Sequence, residues 1–426
     1  VDPSKDLTAQ DIESRFRWAR QQGHPTYLWP EVPIRDWRSG LKQIERVTAE
    51  VLAGGGTASL KTIRDVGPGA LTVAAFTSGV GPLLGHWIES GALSAGSRVG
   101  SLMRLHLEHG RRRAARLEWE LRRAVGLLAG AGVDCIVLKG AHTSRAYFPE
   151  PGTRPAADLD LAIDPTAIPA ATNALRDAGY EGTLEQRRPY KADWRPADAP
   201  RTLRSLYFNH PQNPFAIELH GSMDRDFCGV RSVRLVERTE GTEPWPELHS
   251  GTRVLAQPYL TAYLAAHASE GLQNLTLVRL VELVFVIRRD AGRTLDWKDF
   301  LSLLSAKAAT GYVYPALALV ERLASGTVDA AVLRSVEAAA PRRVRAMIER
   351  VTPATAYRPE RISLEERFMW AVGPLDHIRR AARTVWPIAG GGSFRRLARI
   401  YRDRVYEVAR GVVSIRALAS ETGDTA

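Results

Sequence analysis

The spacing of apolar residues predicts helices over most of the first 130 residues. Apolar positions recur every three or four residues, as they do on one face of an amphipathic helix. This spacing predicts helices over residues 9–22, 37–52, 71–93 and 97–129. The basic run Arg111-Arg112-Arg113 interrupts the last of these helices, and we expect it to form a solvated helix face.

Between residues 134 and 220 the pattern changes to short apolar or alternating runs, which are typical of strands. Strands are predicted over residues 134–138, 158–163, 203–210 and 215–220, and helices over residues 141–147 and 165–179. Residues 211–214 would join the last two strands as a hairpin. Residues 187–201 are basic and aromatic and contain proline, so they are predicted to form a loop.

These patterns divide the chain into three parts, because helical spacing returns at about residue 258 and continues to the end. We expect an N-terminal helical region over residues 1–110, a core over residues 111–245, and a C-terminal helical region with a basic tail over residues 246–426. The predicted fold class is α+β, with a small mixed sheet and its helices flanked by the two helical regions.

Composition is that of a folded protein and excludes several classes. Of 426 residues, 45% are hydrophobic and 25% are charged, which excludes a wholly disordered chain. The two cysteines, Cys135 and Cys228, exclude a disulfide framework and favour a reducing compartment. No apolar run reaches the roughly 18 residues of a transmembrane helix. No signal-like stretch opens the sequence, so a cytoplasmic protein is expected.

The formal net charge of +11 comes mainly from one end of the chain. Residues 342–416 contain 17 arginines and seven acidic residues. A GC-rich genome explains such arginine usage, whereas a basic surface for nucleic acid, an anionic acceptor or a membrane is the alternative. Because the predicted core is nearly neutral, nucleic acid is a possible partner but not the favoured one.

Candidate chemistry begins with carboxylates on the predicted strands. Asp158 and Asp160 are two positions apart, so a strand would place both on one face. Glu218, on a later apolar strand, could add a third carboxylate. Such oxygen ligands suit Mg²⁺ or Mn²⁺, which commonly also hold substrate phosphates. The alternative is an exposed strand face together with an unrelated surface glutamate.

A second candidate group surrounds the end of the preceding strand. Lys139 and Gly140 would lie at the start of a helix whose free backbone amides could bind phosphate. Ala141 follows them and would contribute its own backbone amide. Arg154 could bind phosphate or pair with the carboxylates.

Two histidines flank these groups. His142 and His220 could orient a phosphate or act as a base, although a packed histidine is the commoner case. His220 is the stronger candidate because it lies two positions after Glu218. Elsewhere we expect His267 to be structural or to contact residues of the site without binding a ligand. Glu282 could face the cleft, but an ion pair with Arg279 is the favoured expectation.

Taken together, these segments resemble a known family. The segments are Val137-Leu138-Lys139-Gly140-Ala141, Tyr147, Pro149 to Gly152, Arg154-Pro155, Asp158-Leu159-Asp160-Leu161 and Ile217-Glu218-Leu219-His220. They resemble an uncharacterised bacterial nucleotidyltransferase family, the one numbered five, within the DNA polymerase β-like superfamily. A more distant likeness is to the AbiEii-type toxin nucleotidyltransferases. The superfamily usually has Gly or Ser where this chain has Ala141, so a serine hydroxyl contact is lost while the backbone amide remains.

The resemblance implies a metal-dependent nucleotidyltransferase. Asp158, Asp160 and Glu218 would hold Mg²⁺ or Mn²⁺. Lys139, Gly140, Ala141, His142, Arg154 and His220 would surround the phosphates of an NTP, with ATP expected. The expected acceptor is a small molecule, a sugar or a peptide in a bacterial biosynthetic pathway. The alternatives are a toxin-like enzyme that acts on RNA ends, and a non-catalytic nucleic-acid-binding or scaffold protein.

Overall fold

The computed structural model describes residues 7–22, 25–54, 58–60, 66–184, 191–237, 239–249, 251–357, 366 and 368–385. Its helices are α1 (Ala9–Gln22), α2 (Ile34–Ala53), α3 (Pro68–Ser78), α4 (Gly81–Glu89), α5 (Ser97–Gly130), α6 (Ala141–Ala146), α7 (Ile168–Asp177), α8 (Tyr259–Glu270), α9 (Leu277–Asp290), α10 (Trp297–Ala306), α11 (Tyr314–Leu323), α12 (Ala330–Ala339), α13 (Arg342–Glu349), α14 (Pro353–Ala356) and α15 (Pro374–Val385). Its strands are β1 (Ala58–Leu60), β2 (Leu93–Ala95), β3 (Cys135–Val137), β4 (Asp158–Ile163), β5 (Tyr180–Leu184), β6 (Lys191–Pro196), β7 (Ala216–His220), β8 (Arg225–Phe227), β9 (Arg231–Val233), β10 (Thr242–Pro244) and β11 (Thr252–Leu255).

A seven-stranded mixed sheet forms the centre of the structure, in the order β10-β11-β3-β4-β7-β6-β5. Strand β4 is antiparallel to β3 and parallel to β7. One face of the sheet, which includes Leu159 and Ile217, packs against apolar residues of α5 and α7. Because side chains alternate along a strand, the neighbouring positions, Asp158, Asp160 and Glu218, lie on the opposite face.

The predicted α+β fold is confirmed, and the bounds of α1 and β4 match the prediction. The strand predicted over residues 203–210 is wrong, because this segment contains turns. The Ser205 hydroxyl accepts hydrogen bonds from the backbone amides of Tyr207 and Phe208, at 3.0 and 3.2 Å. Such side-chain bonds occupy donors that a strand would need. Strand β7 therefore pairs with β4 and β6 and forms no hairpin with residues 203–210.

The loop predicted over residues 187–201 is wrong where it overlaps β6; residues 185–190 lie outside the described ranges. Ala192 and Trp194 are buried, whereas Lys191, Asp193 and Arg195 are only half-buried. This alternation has the period of two that is typical of a strand. Pro189, just before β6, and Pro196, its last residue, favoured the prediction of a loop.

The sheet also extends past residue 245. Strand β11 pairs with β3 in parallel, and β10 pairs with β11, so the predicted boundary falls between two strands of one sheet. The basic tail beyond residue 385 lies outside the described residues.

The helices before and after the sheet share one apolar core. Ile44 of α2, Leu71 of α3, Leu280 of α9 and Leu317 of α11 are buried in the same cluster. Helix α2 also packs against α14. The N- and C-terminal helical regions are therefore in contact with each other as well as with the sheet.

A buried arginine connects α5 to two sheet strands. Arg113 is 2% exposed, and its guanidinium donates hydrogen bonds to the carbonyls of Ala156 (3.0 Å), Asn213 (2.6 Å) and Pro214 (2.9 Å). Ala156 lies two residues before β4, and Pro214 two residues before β7. The expected solvated face at Arg111–Arg113 is thus wrong for Arg113. Burial lowers the pKa of Arg113 to about 10, so it remains charged at neutral pH.

Within the described ranges, no single helix is both long and apolar enough to cross a membrane. Helices α3 and α4 reach that length and composition only as a pair, and they meet at a bend of 112°.

We predict that Arg113→Met lowers the free energy of unfolding by about 3 kcal/mol or more, because a buried cation is removed and the carbonyls of Ala156, Asn213 and Pro214 lose their donor. Chemical denaturation followed by circular dichroism measures the difference. The neighbouring Arg112→Met is the matched control, since Arg112 is exposed and pairs only with Glu108, one helical turn away. We expect it to change stability by less than about 1 kcal/mol. Equal losses in the two variants would contradict the anchoring role of Arg113.

Candidate active site

The parallel pairing of β4 and β7 brings the predicted carboxylates together. Asp160 lies directly opposite Glu218 in the register, and Asp158 lies opposite Ala216. Side chains two positions apart share a face, so His220 joins Asp158, Asp160 and Glu218 there. Asp160 is 5% exposed, which places its charge in a largely dry environment.

Both carboxylate oxygens of Asp160 have partners. The Lys139 ammonium donates to Oδ2, and His220 Nε2 lies 3.0 Å from Oδ1. Burial alone would raise the pKa of Asp160, but the charges of Lys139 and His220 outweigh it and hold the pKa well below its usual range. Asp160 is therefore ionised at neutral pH, with its charge balanced by Lys139.

Glu218 is held from the neighbouring strand. Lys191 Nζ of β6 lies 2.8 Å from Glu218 Oε2, and His220 Nε2 lies 3.4 Å from the same oxygen. Burial lowers the pKa of His220, but its hydrogen bonds to Asp160 and Glu218 outweigh that effect and raise it above the usual value. A raised pKa favours a cationic His220, which compensates the two carboxylates between which it lies.

Asp160, Glu218 and His220 form the group best suited to hold a metal ion. One ligand atom from each residue lies within 4.8 Å of the others. Two carboxylates and an imidazole form a donor set compatible with Mg²⁺ or Mn²⁺. Asp158 is not a member of this group among the described residues. It lies on the same strand face, where burial and the charge of Asp160 raise its pKa.

The Lys139-Gly140 turn has the predicted strand–turn–helix geometry. Gly140 follows Lys139 with φ of +65° and directly precedes α6, whose first residue is Ala141. A Cβ atom at Gly140 would lie only 3.3 Å from Arg154 Nη1, so glycine serves both the positive φ and the close approach of Arg154.

His142 points away from this turn. It is buried, with its ring 5.3 Å from that of Trp245 and 6.0 Å from that of Tyr147. Burial lowers the pKa of His142 to about 4. It is a neutral, packed histidine and does not line the cavity described below.

Arg154 forms a buried ion pair with the C-terminal helical region. Its Nε and Nη2 each donate to Glu282 of α9 at 2.9 Å, and the Thr143 hydroxyl of α6 donates to the same carboxylate. The expected pair between Glu282 and Arg279 is therefore wrong. Through Glu282, helix α9 is instead docked beside the Lys139-Gly140 turn.

A cavity of about 290 Å³ lies beside this turn, between the sheet and the helices. Helix α3 and its neighbours wall one side, and α8 and α9 wall another. Its polar lining comprises Thr77, His106, Lys139, Arg154, Asp158, Asp160, Asn209, His267, Thr276, Arg279 and Glu282. Glu218 and His220 are not among these lining residues, although they adjoin Asp160. His267, expected to be structural, thus reaches the cavity and stacks on Tyr263 with ring centres 6.4 Å apart.

The sequence analysis assigned no role to four lining residues of the cavity, Thr77, His106, Asn209 and Thr276, and it did not connect Lys191 or Arg113 with the strand face. Lys191 could have been found from the alternation of β6, which places it opposite His220. Arg113 could not have been found, because its carbonyl partners lie 43 to 101 residues away in loops with no pattern of their own.

We predict that Mg²⁺ stabilises the protein through Asp160. A bound ion raises the free energy of unfolding by about 2.7 kcal/mol at a concentration 100-fold above its dissociation constant. Denaturation with and without MgCl₂ measures this increment, which we expect to vanish in Asp160→Asn. The exposed Asp177→Asn is the matched control and should keep it. The same increment in Asp160→Asn and wild type would show that Mg²⁺ binds elsewhere.

One family model matches a large part of this chain. That model, described as an uncharacterised nucleotidyltransferase, matches residues 65–325. The matched range contains the strand face, the Lys139-Gly140 turn and every lining residue of the cavity. Comparison with curated proteins and with solved structures returns no match. Because the model covers more than half of the chain, the protein belongs to this uncharacterised nucleotidyltransferase family.

Proposed function

We propose that this protein transfers a nucleoside monophosphate from an NTP, with ATP as the expected donor, to a hydroxyl or similar group of a small acceptor. The observation that carries the proposal is the alignment of Asp160 with Glu218 on adjacent strands, beside the Lys139-Gly140 turn. Family membership supports nucleotidyl transfer in general. The donor, the acceptor and the residue roles are our own assignment.

In this proposal Asp158, Asp160 and Glu218 hold Mg²⁺ or Mn²⁺. His220 orients Asp160 and Glu218, or becomes a further ligand once it has released its proton. A divalent cation there would neutralise triphosphate oxygens and stabilise the charge that develops in an in-line displacement. Lys139 now pairs with Asp160. Once a cation compensates Asp160, the Lys139 ammonium is available to a phosphate, beside the amides of Gly140 and Ala141.

The proposed reaction is a substitution at the α-phosphorus of the NTP. The acceptor oxygen forms a bond to the α-phosphorus, and the bond from that phosphorus to the bridging oxygen breaks. Pyrophosphate leaves with the electron pair of that bond, and the proton of the acceptor passes to a carboxylate of the strand face. Glu218 is our candidate for that role.

The cavity supports a small acceptor over a polymer. It is bounded on several sides by helices α3, α5 and α9. Small molecules, sugars and peptide ends fit this description, as would be needed in a bacterial biosynthetic pathway. Both cysteines are free, which is compatible with the reducing cytoplasm.

We predict that replacing both Asp158 and Asp160 by Ala lowers transfer by about 10³-fold or more, because the cation and the triphosphate lose their anchoring charges. Incubation of the protein with α-³²P-labelled NTP and a bacterial extract measures transfer. The double variant Asp177→Ala/Asp198→Ala removes two exposed carboxylates and should retain wild-type transfer.

Circular dichroism on the inactive double variant separates loss of chemistry from loss of fold. Full transfer by a folded Asp158→Ala/Asp160→Ala protein would refute the proposal. Label recovered on tRNA, rather than on small molecules, would replace the small acceptor by the RNA alternative while leaving nucleotidyl transfer in place.

A further inference from the structure

Three cationic side chains line the cavity, and they differ in their partners. Lys139 pairs with Asp160, and Arg154 donates two hydrogen bonds of 2.9 Å to Glu282. Arg279 also lines the cavity but forms no ion pair or hydrogen bond with any residue that the structure describes. Of these three cations, Arg279 is therefore the one whose charge is not balanced by direct contact.

The surroundings of Arg279 make it costly to leave its guanidinium without an anion in contact. Its side chain is half-buried, so part of its hydration is lost. Burial, followed by the charge of neighbouring Arg154, lowers its pKa. A partly desolvated cation beside a second cation is stabilised by an anion. The carboxylates of Glu282, Asp158 and Asp160 act on Arg279 in the opposite direction and raise its pKa. No described carboxylate lies within ion-pair distance of the guanidinium, which leaves it open to the anion of a ligand.

The position of Arg279 indicates which ligand. Arg279 lies three residues before Glu282 on α9, a spacing that places both on one helix face. Glu282 binds Arg154, and Arg154 Nη1 lies beside Gly140 of the Lys139-Gly140 turn. Through these contacts Arg279 is held on the cavity side of that turn. Asp158 and Asp160 line the same cavity.

We propose that Arg279 binds the non-transferred phosphates of the nucleotide, and therefore also free pyrophosphate, through its planar guanidinium. This inference rests on the proposed nucleotidyl transfer. It changes the role expected for Arg154, which becomes a positioning residue that is tied to Glu282 and shapes the turn at Gly140. The planar fork of Arg279 matches two phosphate oxygens at once. Helix α9 then supplies both the anchor of the turn and a ligand of the leaving group.

The test measures pyrophosphate binding to the full chain by calorimetry in the presence of Mg²⁺. Arg279→Met should weaken pyrophosphate binding by about 10- to 100-fold, which is the loss expected for charge-assisted hydrogen bonds. Arg279→Lys keeps the charge without the bidentate geometry, so its affinity should lie between those of Arg279→Met and wild type. Arg293→Met is the matched control, because Arg293 is exposed just beyond α9 and lies outside the cavity lining. It should bind like wild type.

A second readout separates phosphate binding from a structural effect. Affinity for the nucleoside monophosphate, which lacks the non-transferred phosphates, should change less than about twofold in Arg279→Met. Equal loss of affinity for both ligands would overturn the assignment, as would unchanged pyrophosphate affinity. Labelled transfer by wild type, measured separately, then tells whether the proposed function itself stands. Wild-type protein that neither transfers label nor binds pyrophosphate would overturn both proposals.

Discussion

The hydrogen bonds of the Arg113 guanidinium fix the geometry on which the candidate active site depends. They attach the middle of α5 to the chain just before β4 and just before β7. Those two strands carry Asp160 and Glu218 in register, and a shift of one residue would move a carboxylate to the apolar face. A buried charge that bonds only carbonyls is satisfied in one arrangement, so Arg113 selects this register as well as stabilising it.

Local sequence patterns predicted those elements whose structure depends on neighbouring residues alone. The alternation of β4 gave its bounds and the shared face of Asp158 and Asp160, and the order of motifs identified the family. The predictions failed where contacts between distant segments decide the structure. The hydrogen bonds that Ser205 accepts are incompatible with the strand predicted over residues 203–210. Glu282 forms its ion pair with Arg154 and not with Arg279, its neighbour on the same helix. Helical spacing cannot rank those two partners, because the choice depends on where the loop before β4 places Arg154.

The strand face is arranged so that its carboxylates are compensated without a metal ion. Lys139 and Lys191 approach from opposite sides, and His220 lies between the two carboxylates that they hold. This arrangement lowers the electrostatic cost of folding with three acidic groups on one face. Any cation that binds must compete with lysines already in place. In the proposed reaction, cation binding and the release of Lys139 from Asp160 would therefore be linked, so that Lys139 would bind phosphate only when the cation is present.

Different parts of the chain form the floor and the walls of the cavity. The sheet supplies the carboxylates, whereas Phe76 and Thr77 of α3 and Thr276 and Val278 near the start of α9 supply much of the enclosure. None of these wall residues belongs to the paired strands β4 and β7 that hold the carboxylates. In the proposed reaction, reactivity and substrate choice would therefore lie in separable segments. Proteins that share this strand face could then carry out one reaction on different acceptors, with the differences located in the helical walls.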